Sequence, residues 1–173
     1  MFSTESKIRS LESLKHDLAI WRFRNDKIVF TNGCFDILHP GHINYLEQAA
    51  SLGHRLIIGL NSDLSVKMLK GQNRPVLSEN IRARLLAALH CTDAIILFNE
   101  ETPEILIKSI KPDILVKGGD YLANQVVGAE FVKSYNGQVV ILPFVEGYSS
   151  SALINKLVAS LTDTTTKTTR DGV

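Results

Sequence analysis

Apolar residues fall along this chain in two alternating patterns. Short runs rich in β-branched and aromatic residues occur at Ile28-Val29-Phe30, Arg55–Leu60, Asp93–Phe98, Asp113–Lys117 and Gln138–Leu142. Their length and composition suit buried strands. Between them apolar positions recur at helical spacing, as in Ile43, Leu46, Ala49, Ala50 and Leu52, or Ile81, Leu85, Leu86, Ala88 and Leu89. Ser78-Glu79-Asn80 opens the second of these helices. Thr102 caps a third, with Pro103 at its first position and Lys111-Pro112 as its stop. A further helix is predicted around Gly128 to Tyr135, ended by Asn136-Gly137, and a last one opens at Tyr148-Ser149-Ser150-Ser151. Ahead of all this, residues 4 to about 24 read as one helix capped by Thr4 or Ser6, with Ile8, Leu11, Leu14, Leu18 and Trp21 as its apolar stripe.

Strand, helix and strand within about thirty residues make a right-handed βαβ unit, and hence a parallel sheet. The expectation is a Rossmann-like three-layer α/β/α domain with a five-stranded parallel sheet over residues 1–160. Residues 161–173, TDTTTKTTRDGV and the residue before it, are polar and low in complexity, and are expected to form a disordered tail.

Composition narrows the function. At 173 residues the chain is long enough for one proper core. Nineteen basic against eighteen acidic side chains give a net charge of +1, so no global field favours nucleic acid. Two cysteines do not make a disulfide framework. No apolar run approaches the roughly 20 residues of a membrane span, and the first residues lack a signal-peptide core. A cytoplasmic protein without a membrane or nucleic-acid partner is expected.

The chemistry concentrates in KIVFTNGCFDILHPGH, residues 27–42. A strand runs into the turn Thr31-Asn32-Gly33, and Pro40 sits where a helix begins. His39 and His42 then lie three residues apart at the mouth of that helix. A helix N-terminus offers unpaired N–H groups and partial positive charge, and two imidazoles add donors. Gly41 leaves room for a ligand to approach the backbone. This combination suits transfer at phosphorus, where fixed donors stabilise charge on the phosphate oxygens. Two histidines are half a zinc site, but Cys34, Cys91, His16, His54 and His90 do not complete one by spacing, so no protein metal site is expected.

Other polar clusters follow strands. The basic segment from Val66 to Pro75 holds Lys67, Lys70 and Arg74 as candidate triphosphate ligands. Arg82, near a helix start, is a candidate for phosphate. The Gly118-Gly119-Asp120 turn lets a ligand lie on backbone, with Asp120 as acceptor for a ribose hydroxyl or base amino group. The serines 149–151 open a helix, which serves either as capping or as a phosphate site.

HPGH after TNGCFD resembles the HxGH signature of the nucleotidyltransferase superfamily. With GLNSD, VKMLKG, VKGGDY and EGYSSSALI in order over about residues 5–160, the chain resembles the adenylyltransferase domain of the bacterial ADP-heptose pathway. That resemblance implies transfer of AMP from ATP to D-glycero-β-D-manno-heptose 1-phosphate, with Mg²⁺ accompanying ATP and pyrophosphate leaving. It implies phosphate-binding and catalytic roles for His39, His42, Lys70 and Arg82. Thr31, Asn32, Gly33, Cys34, Phe35, Gly41, Gly119, Asp120, Ser149, Ser150 and Ser151 would contact the nucleotide. Asp36, Lys67 and Lys117 would lie toward the substrate, and a homodimer is expected. Tyr148 stands where the family's last motif carries isoleucine. The alternatives are a cytidylyltransferase acting on glycerol 3-phosphate or another small phosphate, and a non-catalytic nucleotide-binding module. The missing GxGxxG disfavours a dinucleotide redox enzyme.

Overall fold

Each of the five apolar runs forms a strand, and all lie in one parallel sheet. The computed structural model describes residues 4–119, 122, 125–143 and 147–168, without the side chains of 157 and 161–168. The strands are β1 (Ile8–Arg9), β2 (Ile28–Gly33), β3 (Arg55–Asn61), β4 (Ala94–Phe98), β5 (Ile114–Gly118) and β6 (Gln138–Leu142). The helices are α1 (Leu11–Phe23), α2 (Pro40–Ser51), α3 (Asp63–Lys70), α4 (Glu79–Ala87), α5 (Glu104–Ile110), α6 (Ala129–Lys133) and α7 (Ser150–Thr168).

Among the described residues the sheet has six strands, in the order β1-β4-β3-β2-β5-β6, rather than the five expected. The sixth is the two-residue β1, whose Ile8 and Arg9 pair with Ile95 and Ile96 of β4. It lies inside the segment read as one N-terminal helix. That segment divides into a 3-10 turn at Thr4–Lys7, the edge strand, and α1. Ser10, not Thr4 or Ser6, caps α1, its side chain accepting from the Ser13 N–H. Ile8 thus belongs to the sheet rather than to the stripe of α1. Pro103, not Thr102, is the cap position of α5, and Lys111 closes that helix in the left-handed conformation. The backbone of α7 runs to residue 168, past the boundary drawn at residue 160; no Gly or Pro interrupts it before Gly172.

Alternate strand residues feed two cores. Phe30, Ile57, Ile96 and Leu115 pack with Leu14 and Leu18 of α1, Ile107 and Ile110 of α5, and Val132 of α6. Val29, Ile58, Leu60, Ile95 and Val116 pack with Leu46 and Ala49 of α2, and Ala83 and Leu86 of α4. Each fully buried aliphatic side chain contributes about 1.5–3 kcal/mol to the fold. Helices therefore cover both faces, as a parallel sheet requires. The chain leaves β2 toward β3 and β4 on one side, while β5 and β6 lie on the other. The reversal between β2 and β5 is where such sheets open a crevice at their C-terminal edge. No helix among the described residues is long and apolar enough to cross a membrane.

Candidate active site

His39 is the N-cap of α2, with its Nδ1 accepting the His42 N–H at 3.3 Å. Acceptance at Nδ1 places the proton of the neutral ring on Nε2, which is then a donor. The His42 ring stacks on His39, with centroids 3.8 Å apart and planes 18° apart. Tyr148 lies parallel on the other side of His39 at 6.2 Å, and Phe35 meets His42 edge-on at 5.2 Å. Burial lowers the pKa of His39. Burial, then His39 and Lys70, lowers that of His42 to about 4. The Ile37 carbonyl pulls the other way, although the buried His42 Nδ1 makes no hydrogen bond of normal geometry among the described residues. Both rings are therefore neutral near pH 7 and act as N–H donors rather than as cations.

A second helix N-terminus meets this one. The Ser149 hydroxyl accepts the Ala152 N–H and caps α7, while the Ser150 hydroxyl donates to the Ile37 carbonyl at 3.1 Å. Those hydroxyls are thus committed to holding the start of α7 against the loop before α2. Ser151 is exposed. Gly41 is needed for that contact: a Cβ there would lie 3.0 Å from Tyr148 Cβ and 3.1 Å from His39 Nδ1. The space that Gly41 was expected to leave for a ligand is filled by Tyr148 and His39.

The cations divide by what faces them. Lys67 and Lys70 both lie exposed in the last turn of α3, in a helix rather than in the loop after it. Only Lys70 acts electrostatically on His42 and Cys34, so it is the one the fold turns toward the site. Arg82 is not free to bind phosphate. It is fully buried, and its guanidinium donates to the carbonyls of Leu77 (3.0 Å), Cys34 (2.6 Å) and Asn61 (2.8 Å), and to Asp63 Oδ1 (2.8 Å). It ties the loop after β2 to the end of β3. Asp36, expected toward the substrate, is 1% exposed and equally committed. Its Oδ1 accepts from the N–H groups of Val76 and Leu77, and its Oδ2 lies 2.9 Å from Arg74 Nε. Arg74 thus has Asp36 as its counter-ion, although its buried Nη2 makes no hydrogen bond among the described residues.

Thr31 is buried, with its hydroxyl 2.6 Å from that of Tyr45, so only its backbone faces the loop. Burial pushes the Tyr45 pKa to about 12. Gly33 and Phe35 pack on each other, a Cβ on Gly33 meeting the Phe35 ring at 3.0 Å, and Phe35 takes the left-handed conformation (φ 43°). The Cys34 thiol is half-buried, with its pKa raised chiefly by burial. Lys117 Nζ lies 3.4 Å from Asn32 Oδ1 across the gap between β5 and β2. Gly119 takes a positive φ of 117° and donates its N–H to the Leu142 carbonyl. Asp120 lies outside the described residues.

This edge of the sheet holds stacked imidazoles, two helix N-termini and Lys70 beside a topological crevice, and comparison with known proteins agrees with it. The cytidylyltransferase-like family model matches residues 30–156. The chain belongs to the cytidylyltransferase-like family. It is thus one of the nucleotidyltransferases. It is 50% identical over 157 residues, or 91% of its length, to the bifunctional protein HldE of Citrifermentans bemidjiense. To HldE of Helicobacter acinonychis it is 52% identical over 160 residues, or 92% of its length. It spans 32% and 33% of those two proteins, about a third of each. The crystal structure of the lipopolysaccharide core biosynthesis protein from Thermoplasma volcanium superposes with a TM-score of 0.56 at 31% identity, covering 72% of this chain and 99% of that one.

Sequence reasoning passed over Tyr45, Asn61 and Asp63 in this cytidylyltransferase-like domain. Asn61 donates to the Ser65 hydroxyl, and Asp63 receives Arg82. Nothing local in the GLNSD segment signals that a guanidinium lies beneath it. Nucleotidyltransferases generally use a divalent metal with the nucleoside triphosphate. Among the described residues no group of three or more His, Cys, Asp or Glu side chains is placed to hold one. Asp36, the buried carboxylate beside the loop, is taken up by Arg74 and two N–H groups.

Proposed function

We propose that this domain transfers AMP from ATP to D-glycero-β-D-manno-heptose 1-phosphate, releasing pyrophosphate. The observation that carries the reading is the stacked, uncharged His39–His42 pair at the N-terminus of α2, facing Lys70. Identity of about one half to the HldE relatives, and likeness to a lipopolysaccharide core biosynthesis protein, support the choice of a heptose acceptor.

The chemistry needs no enzyme nucleophile. An oxygen of the sugar 1-phosphate attacks the α-phosphorus of ATP, that P–O bond forms, and the bond to the β-phosphate oxygen breaks. The acceptor phosphate is already ionised near pH 7, so no base is required. The protein supplies alignment and fixed donors. The Nε2–H of His39 and an N–H of His42, together with the N-terminal amides of α2, face oxygens whose charge grows as the bond breaks. Lys70 adds a point charge to the departing pyrophosphate. The end of β2 at Asn32 and Gly33, the residues Cys34 and Phe35 after it, and the backbone at Gly119 form the bed for the nucleoside, with Asp120 its polar edge. Mg²⁺ would enter with ATP, held on phosphate oxygens and supplying charge neutralisation there. The substrate ATP makes the cytoplasm the natural place of work.

Pyrophosphate release with Mg²⁺ tests this, pairing ATP or CTP with heptose 1-phosphate, other sugar 1-phosphates or glycerol 3-phosphate. Release with ATP and heptose 1-phosphate alone is expected. Release with CTP and a polyol phosphate would replace the substrates and keep the mechanism. Nucleotide binding without release from any pair would make the domain a binding module.

A further inference from the structure

We propose that Lys117 binds the acceptor's phosphate, on the face of the sheet opposite the histidine pair, with Asn32 positioning its ammonium group. The proposal rests on the nucleotidyltransfer reading above and adds where the second substrate sits.

The strand ladder locates the subsite. β2 pairs with β3 over six residues, from Ile28 to Gly33, but with β5 only at Val29↔Ile114 and Phe30↔Leu115. Beyond that point β2 and β5 part, and the crevice at the topological reversal opens. Two residues further along each strand are Asn32 and Lys117. They share the sheet face of Phe30 and Leu115, the face covered by α1, α5 and α6, because strand side chains alternate. Their side chains meet across the opening at 3.4 Å, a long contact that leaves ammonium donors over. An ammonium can make three such bonds.

Lys117 is not satisfied by charge. No carboxylate of a described residue pairs with it, whereas Arg55, Arg74 and Arg82 each have one. Burial lowers its pKa, and its electrostatic partner is the Cys34 thiol in the loop after β2. A half-buried cation with no counter-ion among the described residues, at the mouth of a crevice, awaits an anion. His39 and His42 lie on α2, which covers the opposite face, and Lys70 acts on His42 and Cys34 from α3. In-line displacement needs the attacking oxygen and the leaving pyrophosphate on opposite sides of the α-phosphorus. With His39, His42 and Lys70 taking the pyrophosphate on one side, Lys117 is the cation on the other. It holds the attacking phosphate against the repulsion between two polyanions. It transfers no proton.

The test compares the wild-type protein with Lys117→Gln and Lys117→Arg, whose melting temperatures first show that both fold. With ATP and heptose 1-phosphate, the Gln variant should raise the acceptor KM roughly ten-fold or more, the loss of one charge-assisted contact. The KM for ATP should stay within about two-fold, and Arg should recover part of the loss. A rise confined to the ATP KM, or no change in either, would overturn the assignment. A wild-type protein inactive with every pair would overturn the transfer reading instead. In that event inorganic phosphate titrated calorimetrically still decides: binding by wild type that the Gln variant loses supports the anion site, and equal binding, or none, refutes it.

Discussion

The backbone N–H of His42 is held by the Nδ1 of His39, and the two rings stack 3.8 Å apart. The cap of the helix and the paired donors are thus one structure: the imidazole that terminates α2 also fixes its own tautomer and carries the second ring. Burial disfavours the charge on both rings and His39 adds to that effect on His42, so the site is pre-set with neutral donors.

His42→Ala should lower turnover by roughly 10²–10³, the usual loss for one transition-state donor. Melting temperature should hardly change, since the cap contact uses the backbone N–H of residue 42. Pyrophosphate release measured at saturating ATP checks this, and undiminished turnover would remove His42 from the mechanism.

His42 also makes stability depend on pH. Its pKa is depressed from 6.5 to about 4 in the folded protein. Between those values the unfolded chain takes a proton on this ring and the folded protein does not. The contribution is complete above pH 6.5, declines as pH falls, and is gone below about 4. Allowing for partial exposure, it amounts to about 1–2 kcal/mol. Urea unfolding of wild type and His42→Gln at pH 7 and pH 5 should show the difference between them shifting against the wild type at the lower pH. A constant gap contradicts the assignment.

Arg82→Met should be among the most damaging substitutions. It removes all donors to three carbonyls and leaves the Asp63 carboxylate without its cation. A loss of about 3 kcal/mol or more in urea unfolding is expected from orphaned buried groups. Arg82→Lys can satisfy some of these acceptors and should lose less. If Met melts like wild type but cannot turn over, Arg82 contacts substrate after all.

Asp36→Ala should loosen the segment that ends at Leu77. Val76 and Leu77 lose the acceptor for their N–H groups, and Arg74 loses its counter-ion. Asp36→Asn keeps an acceptor for the two N–H groups and should be intermediate. Limited proteolysis within residues 71–77 should quicken for Ala over Asn over wild type. Identical cleavage rates would show that the segment is held by something else.

Gly41→Ala separates site geometry from stability. Alanine favours the helix by about 1 kcal/mol, but its Cβ would press on Tyr148 and His39 at 3.0–3.1 Å. Melting should change little while turnover falls, because His39 must shift. A variant as active as wild type would mean that the Tyr148 contact does not set the ring.

Much of this was legible in the chain itself. In residues 27–42 the strand and the helix formed as read, with Pro40 at the first position of α2 and His39 before it, but Thr31, Asn32 and Gly33, read as the turn, extend β2, because each pairs with β3. The five long strands and their parallel pairing followed from the spacing of apolar runs. These are local properties: a run of β-branched residues, a cap, and a proline act on their own neighbours. β1 was missed because two residues carry no period; only pairing with Ile95 and Ile96 makes them a strand.

What a charge does depends on what lies opposite, and that is decided by contacts far apart in sequence. Arg82 and Asp36 looked like site residues, yet the fold closes each around partners 5 to 48 positions away in the case of Arg82, and 40 and 41 in the case of Asp36. The sequence by itself determined the fold class, the helix that presents two histidines, and which ionisable side chains lie near the strand ends. The contacts between distant segments show that Arg82 and Asp36 hold the loops, that Tyr148 fills the space at Gly41, and that neither Lys70 nor Lys117 has a carboxylate partner among the described residues. The reason is desolvation: a charge buried by packing must take its partner from the protein, while one left at the crevice takes it from the ligand.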